Sequence, residues 1–103
     1  MAKLKLIAEP TFKAKVGIPV IGADPVSVEM TFRHRTRSAL QEWLKSRDGK
    51  AEVDVLLDFV QGWDLEEEFN KENALLLVEN YHGAAVAALQ TYVEQLSQAK
   101  LGN

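Results

Sequence analysis

Along residues 11–20 the chain alternates, with Phe12, Ala14, Val16, Ile18 and Val20 on one parity and Lys13 and Lys15 on the other. A period of two belongs to a strand with one face buried and one in water. Pro19 cannot donate to a ladder, so this strand is expected at a sheet edge. The stretch "IGADP" at 21–25 supplies turn residues, and Val26, Val28, Met30 and Phe32 then alternate again. The pattern predicts a β-hairpin. Residues 3–7 alternate as well, and predict a short strand pairing alongside it.

From residue 36 the spacing changes to threes and fours. Thr36 or Ser38 is an acceptable N-cap, "SALQ" fits a capping box through Gln41, and Leu40, Trp43 and Leu44 share a face until Gly49. "AEVDVLLDFV" at 51–60 carries Val53, Leu56, Leu57 and Val60 on one stripe, acidic residues in its first turn and Gly62 as a left-handed C-cap. After a loop through "GWDLEEEF", Asn70 caps a third helix to Asn80, with Ala74, Leu77, Val78 and Tyr81 inward. Gly83 separates it from a last helix over 84–99, whose buried face holds Ala85, Leu89, Tyr92, Val93 and Leu96. The expected fold is α+β: an N-terminal β-hairpin of two to three short strands, then about four α-helices packed as a small, mainly helical domain.

A chain of 103 residues is one domain's worth, able to bury about 60–68% of its unfolded surface around one core. We divide it into a hairpin region (1–35), a helical region (36–99) and a tail (100–103). At 47% hydrophobic and 26% charged, it falls outside the composition of disordered chains. Cysteine is absent, which removes disulfides and thiolate metal ligands. The longest apolar run, "ALLLV" at 74–78, is far short of the roughly 20 residues of a membrane span. Residues 3–7 lack the continuous apolar core of a signal peptide, so a cytoplasmic protein with no membrane partner is expected.

The net charge of -3 conceals a split: residues 1–50 hold ten Lys and Arg against five Asp and Glu, and residues 51–103 hold two against ten. Such a division holds two halves of a fold together, steers a charged partner, or brings copies together head to tail. Three arginines, Arg33, Arg35 and Arg37, cluster in "RHRTR" at the end of the hairpin. An isoelectric point of about 5.3 disfavours nucleic acid as the partner. Shielding of a strand edge, pairing with the acidic helices, or a protein interface accounts for them better.

Signatures of chemistry are missing. "DLEEEFNKEN" at 64–73 has Phe69 where a calcium loop needs Gly and Leu75 where it needs Glu. His34 and His82 are too far apart in sequence to suggest a zinc motif. No nucleophile elbow, phosphate loop or interpretable catalytic serine occurs, so neither an enzyme nor a cofactor is expected. Trp63, directly after Gly62, either folds back on the core or stands out as a partner anchor.

The ordered set "FKAKVGIPV", "VEMTFRHRTRSAL", "FVQGWDLEEEFNKEN", "ENYHGAAVAAL" and "YVEQLSQAKLGN" resembles the tail assembly chaperones of long-tailed bacteriophages of the siphovirus type, over nearly the whole chain. The resemblance implies a small non-enzymatic protein of the host cytoplasm, left out of the mature virion, that binds the tape measure protein and keeps it soluble while tail-tube subunits polymerise around it. It also implies a longer product made by programmed frameshifting near 100–103, through which the tail tube protein is recruited. Self-association would bring the basic edge of one copy to the acidic face of the next, and a helical segment of the partner would lie in an exposed groove between helices. The candidate interface residues are Arg33, Arg35, Arg37, Trp63 and Tyr81. The alternatives from other classes are a small nucleic-acid-binding regulator using the Arg33 to Arg37 edge, and a structural tail subunit retained in the virion.

Overall fold

A computed structural model describes residues 2–98. The predicted hairpin is formed by β1 (Thr11–Val20) and β2 (Ala23–Arg33), in a register that sets Phe12 opposite Phe32, Ala14 opposite Met30 and Val16 opposite Val28. Partners in an antiparallel ladder share a face, so the two alternations add to one apolar surface. Val16, Ile18, Val28, Met30 and Phe32 are all buried, and Lys13 and Lys15 point to water. The turn is tighter than "IGADP" suggests: only Ile21 and Gly22 lie outside the strands, with Gly22 at φ +74°. That left-handed conformation favours glycine.

The third strand is not residues 3–7. That segment stays outside the sheet with Leu4, Leu6 and Ile7 exposed, and its place is taken by β3 (Val60–Trp63), giving the antiparallel order β1-β2-β3. Pro19 therefore lies on an edge strand, as its chemistry requires. β3 follows helix α2 (Glu52–Phe59) without an intervening loop, so Gly62 is a strand residue and not a helix cap. Val60 is apolar on both readings, because the last position of the helical stripe also points its side chain inward from the strand.

Helix α1 (Arg37–Ser46) is capped by Thr36, whose hydroxyl accepts from the Ala39 N–H at 3.2 Å; the box through Ser38 and Gln41 does not form. Helix α3 (Lys71–Asn80) starts at Asn70, whose side chain accepts from the Asn73 N–H at 2.8 Å. Helix α4 (Ala84–Ser97) buries Ala84, Ala85, Ala88 and Tyr92. The predicted end of this helix at residue 99 and the tail 100–103 lie outside the described residues. Helix α4 packs against β1, and α2 against α3 and α4. Gly83 sits hard on the hairpin: a Cβ there would lie 3.0 Å from Pro19 Cγ.

The core is an aromatic cluster between the sheet and the helices. Tyr92 stacks on Phe59 at 4.9 Å between centroids, meets Phe32 at 5.6 Å, and takes Trp43 edge-on at 6.1 Å. Truncating such a ring costs about 3–5 kcal/mol, so α1, α2, α4 and the hairpin hold one another in place. Tyr81, expected on the inner side of α3, is instead 41% exposed at its C-terminal cap.

Candidate functional site

The three arginines of "RHRTR" have different fates. Arg33 ends β2 and Arg37 begins α1, both exposed. Arg35 turns inward. Its Nη1 donates to Tyr92 Oη and its Nη2 to the Asp58 carbonyl, each at 3.0 Å, and the guanidinium lies 4.6 Å from the Trp43 ring centre. A planar cation with several donors suits this combination of stacking and hydrogen bonding. The basic edge therefore contains two exposed arginines, and Arg35 ties the corner to the core.

Asp58 collects the neighbouring charges. Its Oδ2 accepts from Trp43 Nε1 at 2.9 Å and from Lys50 Nζ at 2.7 Å. Burial alone would raise its pKa, but the hydrogen bonds from Lys50 and Trp43 and the positive charges of Lys50 and Arg35 outweigh it and hold the carboxyl below its ordinary value. Lys50–Asp58 is the one salt bridge among the described residues that joins the basic half to the acidic half. The charge split is thus directed mainly at solvent.

Trp63 and Tyr81 meet at a second place. Both line a groove of about 470 Å³ between the turn-side half of the hairpin and α3. Its floor is Ile18 and Val28, and its walls include Val26, Leu65 and Leu76. It lies between sheet and helix, where a groove between helices was expected. The sheet opens there because β3 pairs only with Met30–Phe32, after which Asp64 caps the ladder: its N–H donates to the Glu29 carbonyl and its Oδ1 accepts from the Glu29 N–H, both at 3.0 Å.

The loop after β3 is shaped by Trp63 itself. Its ring meets Phe69 edge-on at 5.0 Å, and Nε1 donates to the Glu67 carbonyl at 2.7 Å. Asn73 Nδ2 donates to the Glu68 carbonyl and Asn80 Nδ2 to the Leu76 carbonyl. The Trp63, Asn73 and Asn80 side-chain donors on the groove wall are therefore occupied locally, while the Glu67 carboxylate stands exposed at its rim. Trp63 thus holds the loop and lines the groove.

Leu76 and Val26, missed as site residues, are 56% and 52% exposed on the groove wall. A signal for Leu76 existed: "ALLLV" has more apolar positions than one helix face needs, and burial of Ala74 and Val78 leaves Leu75 and Leu76 outside. Among the described residues no cluster of His, Asp or Glu is arranged to hold a metal, and no helix is long and apolar enough to cross a membrane.

A family model described as phage tail assembly chaperone matches residues 1–103. The chain belongs to that family. No curated protein and no solved structure matches it. The groove concentrates exposed apolar side chains, Val26, Leu76 and Tyr81, beside a floor of sheet.

Proposed function

We propose that this tail assembly chaperone binds the tape measure protein and keeps it soluble during tail assembly, without chemical turnover, by covering an apolar helical segment in the groove between the hairpin and α3. The observation that carries the reading is the juxtaposition of Trp63, Leu76 and Tyr81 around an apolar floor in a member of this family. An amphipathic helix laid in such a groove removes its own apolar face from water together with the groove's. Arg33 and Arg37, exposed at the other end of the hairpin, are the remaining contact candidates, and they suit charged rather than apolar parts of a partner. The proposal places the protein in the host cytoplasm, acting before the particle is complete and absent from it afterwards.

Coexpression with the tape measure protein of the same phage tests this. The wild-type chain is expected to raise the soluble fraction of that partner, and Leu76→Asp, a change on an exposed wall, to abolish the gain while leaving the chaperone folded by circular dichroism. Equal solubility with and without the chaperone would refute the reading.

A further inference from the structure

We infer that the occupant of the groove is a cationic amphipathic helix, one whose apolar stripe is bordered by lysine or arginine. The inference deepens the proposed function: it rests on the groove as the seat of a helical segment and adds what selects that segment. Apolar side chains alone discriminate poorly between one apolar stripe and another, so selection falls to the charges around them.

Those charges have one sign. Among the described residues lining the groove, Glu67 is the only charged one, and Glu66 and Glu68 on either side of it are exposed. On α3, Glu72 and Glu79 stand four positions before and three after Leu76. That spacing makes side chains neighbours on a helix surface, and both glutamates are exposed. Across the groove, Asp24 is exposed and shares the parity, hence the face, of Val26 and Val28.

The chain does not neutralise this rim itself. None of Asp24, Glu66, Glu67, Glu72 and Glu79 forms a salt bridge among the described residues. Lys71, the only lysine or arginine in residues 51–98, is held by Asp54 of α2 at 3.2 Å. Lys13 and Lys15 belong to the opposite face of the hairpin. With the Trp63, Asn73 and Asn80 donors already satisfied by carbonyls, the groove offers apolar contact and unpaired negative charge. Lysines or arginines beside an apolar stripe complete both, and an acidic border would meet like charge along the rim.

Two synthetic helices with the same leucine stripe, one bordered by lysine and one by glutamate, test this on the purified chain without the tape measure protein. Isothermal titration at low salt is expected to show about tenfold tighter binding of the lysine peptide, a difference that shrinks as salt rises toward about 1 M. Leu76→Asp should abolish its binding. Glu67→Lys, Glu72→Gln and Glu79→Lys together change only exposed side chains and spare the Glu67 carbonyl that holds Trp63; they should erase the preference with the circular dichroism spectrum unchanged. Glu79→Lys by itself should weaken the lysine peptide about threefold. Absence of binding by either peptide, a preference that ignores salt or persists in the rim variants, or binding that survives Leu76→Asp would each overturn the inference. Equal affinities that still depend on Leu76 would remove the charge selection and leave the proposed function standing, whereas a charge preference without any gain in tape measure solubility would do the reverse.

Discussion

Arg35 and Tyr92, 57 positions apart, are joined by a 3.0 Å hydrogen bond from Nη1 to the phenol oxygen, and the phenol in turn donates to the Arg33 carbonyl at 2.7 Å. One hydroxyl thus connects the hairpin's end, the corner after it and the last helix. Tyr92 is completely buried, so removing its oxygen leaves groups without replacement by bulk water. Tyr92→Phe is expected to cost about 1–3 kcal/mol with the ring packing intact, and Arg35→Lys a similar amount because an ammonium cannot stack on Trp43 and reach both acceptors. Urea unfolding of both variants checks this; a loss below about 0.5 kcal/mol for each would remove the corner from the list of structural determinants.

Asp58 predicts an acid sensitivity with a definite sign. Its carboxyl is held below the ordinary value of 3.8, so near and below that value the unfolded chain binds the proton more readily than the folded one. Stability from this group is fully present above the unfolded pKa and is lost as pH falls through the lowered folded pKa. Thermal melts from pH 6 downward should show a drop that begins near the ordinary carboxylate value and becomes shallower in Asp58→Asn. An identical pH profile in the variant would show that other carboxylates govern acid unfolding.

Asn70 starts α3, the helix that forms one wall of the groove. Asn70→Ala removes the acceptor for the Asn73 N–H and is expected to cost about 1 kcal/mol. Hydrogen exchange should place the added opening in the first turn of α3, with the aromatic core protected.

The groove wall should separate binding from folding. Leu76 is more than half exposed, so Leu76→Asp is expected to change stability by no more than about 0.5 kcal/mol while removing the solubilising effect on the tape measure protein. Chemical unfolding measured beside the coexpression assay distinguishes this from simple destabilisation. A large stability loss would mean that Leu76 supports the fold and that its loss of activity says nothing about binding.

Parts of the fold that depend on neighbours in sequence could be read directly. Alternation assigned the inward residues of both long strands except Val26, which was expected inward with Val28 and stands 52% exposed because no element covers the turn-side end of that face, and Pro19 marked the outer strand. Asn70 and Gly83 bracketed α3. Where two segments competed for one role, pattern was insufficient. Residues 3–7 have the better alternation, yet β3 is built from 60–63, because α2 delivers Val60 directly to the edge of β2 and buries it there.

By itself the sequence determined the α+β class, most of the inner face of the hairpin, the capping of α3 and the family resemblance that the match over residues 1–103 bears out. Those properties follow from periods, caps and residue order along a single chain. Only the tertiary structure decided that Arg35 bonds to the core residue Tyr92, that Tyr81 faces out, and that Trp63, Leu76 and Val26 share one groove. Each of these depends on which surfaces meet once the chain has closed on itself, and a side chain's surroundings are then set by residues dozens of positions away.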